Sequence, residues 1–152
     1  MSNTRRQLLA AGSAGGITVL LQPWPAVAAV TPALESAIAR FTGGSPVQTG
    51  RVTLAVDAVV ENGNTVPLSV SVQSAMTAAE HVRRIAIFTE LNPQPEVAVF
   101  HLGPASGRAQ VSTRMRMASS QNVIAVAVMN DGSVWQHSVA VSVALAACLE
   151  GE

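Results

Sequence analysis

The sequence has no lysine and only one cysteine, Cys148, among its 152 residues. All nine basic side chains are therefore arginines, and nine carboxylates balance them. The arginines occur at most in close pairs, at 5–6, 83–84 and 114/116, so no concentrated positive face is present to bind nucleic acid. A single cysteine also excludes a disulfide within the chain. We therefore expect a core held by packing alone and no nucleic-acid partner.

The sequence also lacks the motifs of common enzymes and metal sites. It contains no Gly-x-Ser-x-Gly elbow and no glycine-rich loop that could cradle a phosphate. Its three histidines are far apart and show none of the spacings typical of metal ligands: His81, His101 and His137. These absences predict a protein that is not an enzyme and that binds no metal ion.

Met115 and Met117 allow a copper hypothesis, because Met-x-Met motifs bind cuprous ions in exported proteins. A strand places alternate residues on opposite faces, so both methionines share a face with Ala109 and Val111, while polar side chains occupy the other. This alternation favours methionine as flexible core filler. A copper-handling sandwich that uses the two methionines and a histidine stays a lesser alternative.

The N-terminal segment has the anatomy of a secretory signal peptide. Arg5 and Arg6 precede an apolar run at 8–21, which glycines interrupt, and small residues follow up to Ala28. The run is shorter than the roughly 20 residues that a membrane span needs. The arginine pair favours the twin-arginine route. We predict cleavage after Ala28 and a periplasmic mature chain of 124 residues, with a net charge of −2 and no further membrane span.

The mature chain is predicted to begin with one helix and to continue as strands. Thr31 and Pro32 suit a helix N-terminus, an apolar stripe follows over 32–41, and Gly43-Gly44 ends it. From Gly50 the apolar period changes to two. Seven strands are predicted, with Asn62-Gly63 and Asn130-Asp131-Gly132 among the turns between them: 51–58, 66–73, 82–89, 97–102, 108–117, 122–129 and 133–143.

This order of elements predicts a mainly β fold, an immunoglobulin-like antiparallel β-sandwich of about seven strands. The predicted divisions are a signal peptide at 1–28, a helix and linker at 29–49, the sandwich at 50–145 and a flexible C-terminal arm at 146–152.

Cys148 lies in that arm, beyond the last periodic strand residue. An unpaired cysteine in an exported protein indicates a partner or a reactive thiol, and chain ends of this kind are usually mobile. Glu150 and Glu152 disfavour the thiolate, so activation would come from a partner's site. An unpaired thiol on a mobile chain end that a partner has to activate is typical of a carrier protein. A buried cysteine that closes the last strand and a cysteine without a role stay open as alternatives.

Several ordered stretches carry a family resemblance. Besides the leader, they are 61–68 (ENGNTVPL), 81–88 (HVRRIAIF), 92–95 (NPQP), 97–101 (VAVFH), 113–116 (TRMR) and 131–135 (DGSVW). In these stretches the chain resembles the SoxY family, the sulfur-carrier subunits of the bacterial thiosulfate-oxidation (Sox) system.

The resemblance implies an immunoglobulin-like sandwich that forms a heterodimer with a SoxZ-like subunit. It assigns Cys148 as the covalent attachment point for sulfur, with Ala146, Ala147, Leu149, Glu150 and Gly151 as the flanks of the carrier arm. It implies partner enzymes as well: the SoxAX cytochrome complex, the SoxB hydrolase and, where present, the SoxCD sulfane dehydrogenase. No cofactor is implied besides the sulfur adduct.

The carrier arm departs from the family's pattern. The family usually ends in Gly-Gly-Cys-Gly-Gly, whereas alanines precede Cys148 here, and a leucine and a glutamate follow it. Alanine has less backbone freedom than glycine. The alternative to a thiosulfate carrier is therefore a divergent accessory sandwich, for example one associated with a dehydrogenase, that binds a partner without carrying sulfur.

Overall fold

A computed structural model of the protein describes residues 31–147. This part of the chain contains one α-helix, nine strands and a short 3-10 turn at Pro104–Ser106. The elements in chain order are α1 (Pro32–Thr42), β1 (Val47–Thr49), β2 (Val52–Val56), β3 (Val59–Asn62), β4 (Val66–Val72), β5 (Val82–Thr89), β6 (Glu96–His101), β7 (Gln110–Met115), β8 (Gln121–Met129) and β9 (Val134–Leu145).

The strands form two sheets that pack face to face. The larger sheet has the order β1-β9-β8-β5-β6, and β3 also pairs with β9; the smaller sheet has the order β2-β4-β7. The apolar side chains between them form one buried cluster. The predicted mainly β, immunoglobulin-like sandwich is confirmed, and so is the hairpin at Asn130–Gly132 between β8 and β9.

Two strands were not predicted, and both pair with β9 in parallel. β1 has three exposed residues and lies within the segment expected to be a linker. β3 has one half-buried residue among four, so its sequence shows little alternation. The expected strand at 51–58 ends at Val56, because the chain then crosses from the smaller sheet to the edge of the larger one. The expectation of a purely antiparallel sandwich is corrected at this edge.

The predicted helix is confirmed as α1. Thr31 caps it by accepting a hydrogen bond from the Leu34 amide at 3.4 Å, and Gly43 ends it in the left-handed conformation with φ 66°. Its apolar face covers the outer side of the larger sheet. There Phe41 and Phe88 meet edge to face with ring centroids 5.8 Å apart. In residues 31–147 no helix combines the length and apolarity that a membrane crossing requires.

The core is formed by the side chains of each sheet that face the opposite sheet. In β4 every second side chain is buried, whereas β8 is buried on both faces because α1 covers one side and the smaller sheet the other. Met115 and Met117 are 5% and 0% exposed and pack within the core, as predicted. The β7 side chains that alternate with them, including Arg114, point to solvent.

Candidate functional site at the root of the C-terminal arm

β9 brings the chain to the end of the sandwich where the candidate thiol is attached. It is the longest strand, with 12 residues, and Cys148 follows its last residue, Leu145, after two alanines. Cys148 lies outside the described residues, as do Leu149, Glu150 and Gly151. The structure therefore describes the root of the predicted arm: Ala146 is exposed, and Ala147 is only 5% exposed.

Three backbone hydrogen bonds hold this root in place. The Gly63 amide donates to the Leu145 carbonyl at 2.8 Å, the Met117 amide donates to the Gly63 carbonyl at 2.8 Å, and the Ala147 amide donates to the Met117 carbonyl at 2.9 Å. The strand β9, the turn after β3 and the segment after β7 thus meet at one point. We call the four residues Gly63, Met117, Leu145 and Ala147 the arm-root junction.

Gly63 allows this close approach because it has no side chain. A Cβ atom on Gly63 would lie 2.6 Å from the Met117 carbonyl oxygen, 2.9 Å from the Ala147 nitrogen and 3.1 Å from a methyl group of Val143. The first two distances are to backbone atoms, which cannot rotate away as a side chain can. A residue larger than glycine would therefore push the arm root off the sandwich.

Asn92 and Gln121 fix the loops beside the junction. The Asn92 side chain donates to the Arg116 carbonyl at 2.9 Å and accepts from the Ala118 amide at 3.0 Å. Gln121 donates to the Asn92 side chain at 2.8 Å and accepts from the Leu91 amide at 2.6 Å. Gln121 is 7% exposed, so these bonds are largely shielded from water. They hold the segment that carries the Met117 carbonyl in one position.

The end of β9 has one more support in the same region. The Val143 amide donates to the hydroxyl oxygen of Ser120 at 2.9 Å. β9 is therefore anchored to the loop after β7 as well as to its neighbouring strands.

The ion pair of the described chain lies at the other end of β9. Arg51 and Glu80 are 2.8 Å apart, and the Arg51 guanidinium lies 5.3 Å from the centre of the Trp135 ring. Trp135 and Leu145 are ten residues apart on one strand, which corresponds to roughly 33 Å. Near Trp135, hydrogen bonds from the Ser133 hydroxyl and amide hold the pKa of Asp131 below its ordinary value. None of these groups can reach the arm root.

Two of the histidines take part in hydrogen bonds of the framework. The His137 ring accepts from the Leu54 amide at 3.0 Å, and the His81 ring lies 3.0 Å from the Thr77 carbonyl oxygen. His101 is an exposed residue at the end of the edge strand β6. Within residues 31–147, no group of three or more His, Cys, Asp or Glu side chains lies close enough to hold a metal ion.

Sequence reasoning missed the arm-root junction. It identified Asn62-Gly63 as a turn, but not that this turn meets the segments at 92–95 and 117–120 beside the root of the arm. The Asn-Gly pair gave the signal for a turn, yet the need for glycine comes here from backbone contact, since Gly63 has no positive φ.

The chain matches the model of one known protein family. The family model for sulfur oxidation protein SoxY matches residues 38–148. This range includes all nine strands, the arm-root junction and Cys148. A search of the curated proteins finds no match.

Solved structures agree with this placement. The sulfur carrier protein SoxY from Chlorobium limicola f thiosulfatophilum is 31% identical, with a TM-score of 0.61; the alignment covers 72% of this chain and 90% of that chain. The superoxide reductase (neelaredoxin) from Ignicoccus hospitalis is 17% identical, covers 62% of this chain and 80% of its own, and has a TM-score of 0.55. The superoxide reductase from Nanoarchaeum equitans is 8% identical, covers 63% and 100%, and has a TM-score of 0.54.

The two superoxide reductases share the fold alone at these identities. The SoxY likeness goes further, because both the family model and a solved structure extend over most of the chain. The chain therefore belongs to the SoxY family of sulfur-oxidation proteins.

Proposed function

We propose that the protein is a periplasmic sulfur carrier that holds thiosulfate-derived sulfur covalently on Cys148 and works as a heterodimer with a SoxZ-like subunit. The family match carries this proposal, because it extends to residue 148, which is the only cysteine of the chain. The similar solved protein from Chlorobium is itself named a sulfur carrier.

The anchored root supports the same function. Ala147 is the last described residue, and it is bonded to the Met117 carbonyl at the edge of the sandwich. Cys148 follows directly, so the thiol is attached one residue beyond an anchored position of the sandwich. A carrier needs a thiol that a partner enzyme can receive while the rest of the protein keeps its fold.

The chemistry that this chain contributes is a single thiol. In the loading step the Cys148 sulfur forms a bond to the outer sulfur of thiosulfate; the thiol proton is released, and two electrons pass to a cytochrome partner of the SoxAX type. A SoxB-type hydrolase then adds water, which releases sulfate and leaves a persulfide on Cys148. A SoxCD-type dehydrogenase, where present, oxidises the remaining sulfur. Each of these steps is performed by a partner, so the chain needs no cofactor besides the adduct.

The test is intact-mass analysis of the protein purified from the periplasm of cells grown on thiosulfate. Wild-type protein should carry thiosulfate and persulfide adducts, and the Cys148→Ser variant should carry none. A matched control is Ser142→Ala, an exposed serine on β9 near the arm, which should keep the adducts. Unmodified wild-type protein, or adducts that survive in Cys148→Ser, would refute the proposal.

The accessory-sandwich alternative has one observation in its favour. The arm root is held through Ala147, and the flanks of Cys148 lack the glycines that give a carrier arm its freedom. If the protein binds a partner without carrying sulfur, Cys148→Ser should restore thiosulfate oxidation fully in a strain that lacks the wild-type gene. Loss of oxidation in the complemented strain would exclude this alternative.

A further inference from the structure

β6 is an edge strand of the larger sheet, and within residues 31–147 it pairs with β5 alone. The Leu102 amide donates to the Arg83 carbonyl at the start of this pairing, at 2.9 Å. The main-chain groups of a strand point alternately to its two sides, so those of Phe100 also point to β5. Those of Val99 and His101 point away from the sheet. β6 therefore presents a row of amide and carbonyl groups that can pair with another strand.

The other sheet edges in the described part of the chain are protected against such pairing. On β2 the outward Leu54 amide donates to the His137 ring, and β7 carries the charged Arg114 at its edge. β1 and β3 are only three and four residues long. β6 has six residues, and its four central side chains, at 97–100, are uncharged and half-buried. An unprotected edge of this kind favours the addition of a strand.

A bulge in β6 places Glu96 on the outer face of the sheet. The residue of β5 opposite Glu96 is Phe88, which packs beneath α1. Val97 is the extra residue of the bulge, because Ala98 lies opposite the residue that precedes Phe88. The outer face of β6 therefore carries three side chains in a row, the central one flanked by a carboxylate and an imidazole: Glu96, Val99 and His101.

This row is self-complementary about Val99. A two-fold axis perpendicular to the sheet at Val99 pairs its outward amide and carbonyl with the same groups of a second copy, in antiparallel register. The axis places Glu96 of each copy opposite His101 of the other, with roughly 5 Å between the Cβ atoms. On the core face it places Ala98 opposite Phe100, a small side chain opposite a large one. An axis at His101 would bring two imidazoles together instead, so the register about Val99 is favoured.

We propose that β6 is a self-association edge, where a second copy of this chain adds its own β6 in antiparallel register about Val99. The larger sheet then continues across both copies, and two reciprocal contacts between Glu96 and His101 flank the axis. β5 and β8 separate β6 from β9, which leads to the arm, so the pairing does not use Cys148. The proposal therefore does not depend on the carrier function.

The test is sedimentation equilibrium of the purified mature chain, alone and with a reductant that prevents a disulfide through Cys148. Wild-type protein should be monomeric at low concentration and dimeric at high concentration. His101→Glu places two carboxylates opposite each other on both sides of the axis and should raise the dissociation constant about tenfold. Glu96→His/His101→Glu should restore the wild-type value, because the exchanged residues still lie opposite each other.

Ser112→Glu is the matched control. It adds the same charge to an exposed position on β7, the edge strand of the smaller sheet. The dissociation constant of this variant should equal that of the wild type, because β7 takes no part in the proposed pairing.

Hydrogen exchange distinguishes strand pairing from other modes of association. The Val99 and His101 amides should exchange more slowly as the protein concentration rises, since they become bonded only in the dimer. The Phe100 and Leu102 amides point to β5 in the monomer, so their exchange should not change. The Arg114 amide points outward from β7 and should stay unprotected at every concentration.

Four outcomes would overturn the proposal. They are a wild-type protein that stays monomeric at every concentration, exchange of the Val99 and His101 amides that does not depend on concentration, equal weakening of the dimer by His101→Glu and Ser112→Glu, and protection of these amides only after a SoxZ-like subunit is added. The last outcome would make β6 the edge of a heterodimer. Because the reductant removes any contribution of Cys148, none of these outcomes affects the sulfur-adduct result.

Discussion

Replacing Gly63 with alanine should disrupt the arm-root junction. The new methyl carbon would lie 2.6 Å from the Met117 carbonyl oxygen and 2.9 Å from the Ala147 nitrogen, so the backbone of at least one segment must move. Forcing an extra carbon into a packed site typically costs about 1–3 kcal/mol. Movement also weakens the hydrogen bonds of Gly63 and Ala147, at about 0.5–1.5 kcal/mol each.

The opposing effect is small. Alanine lowers the conformational entropy of the unfolded chain relative to glycine, which stabilises a folded protein by about 0.4–1 kcal/mol where the native conformation suits it. We therefore expect Gly63→Ala to lower the free energy of unfolding by about 2–4 kcal/mol. Gly103→Ala is the matched control, because Gly103 is extended at φ −159° and a Cβ atom there would meet nothing within 4 Å. That variant should be neutral or slightly stabilised.

Urea unfolding monitored by the fluorescence of Trp135 measures both free energies. Hydrogen exchange of the Ala147 amide gives a local reading: its protection should fall in Gly63→Ala and stay in Gly103→Ala, even if the rest of the sandwich is unchanged. Equal unfolding free energies for the two variants, together with a protected Ala147 amide in both, would show that the inferred backbone contact at Gly63 is wrong.

Two further predictions concern His137, which joins the two sheets, and Asp131, at the other end of the sandwich from the arm root. His137→Leu removes the acceptor of the Leu54 amide and should lower the free energy of unfolding by about 1–2 kcal/mol, whereas His101→Leu should change it little; equal urea midpoints would contradict this role. The pKa of Asp131 is depressed below 3.8 by hydrogen bonds from the Ser133 hydroxyl and amide. A depressed pKa stabilises the fold above the unfolded-state value and loses this effect as the pH falls through the folded-state value. Thermal unfolding of Asp131→Asn should therefore differ from wild type at neutral pH and converge with it in acid, and a difference that is independent of pH would contradict the assignment.

The sequence predicted the elements whose signals are local. The Thr31 cap, the glycine after the helix and the apolar stripe between them are all within one helix, so α1 was found almost to the residue. The expected strand at 82–89 has the bounds of β5, and the turn at Asn130–Gly132 joins β8 and β9 as expected. In each case the residues that produce the burial pattern or the turn lie close together in the sequence, so they can be recognised without knowledge of the fold.

The sequence could not predict the edge where β1 and β3 pair with β9. These short strands bury little of their own surface, so they lack the alternation that marks a strand. Their position depends on a partner far away in the chain: Val59 pairs with Ser142, and Val47 with Val134. The arm-root junction was missed for the same reason, because it joins three segments that only the fold brings together.

The alanines before Cys148 gain a physical meaning from this junction. The family's usual glycines suit an arm that must sample many conformations, including those with positive φ. Among the described residues other than glycine, only Met76 has a positive φ, so Ala146 and Ala147 adopt their described conformation without the strain of a positive φ. Alanine also reduces the entropy that the arm would gain on release, by about 0.4–1 kcal/mol per substituted glycine. The alanines and the Gly63 contact thus act in the same direction, since each favours the anchored conformation of the arm root. Under the proposed carrier function, drawing the arm root off the sandwich breaks the hydrogen bond of the Ala147 amide, and the partner that receives the thiol has to supply that energy.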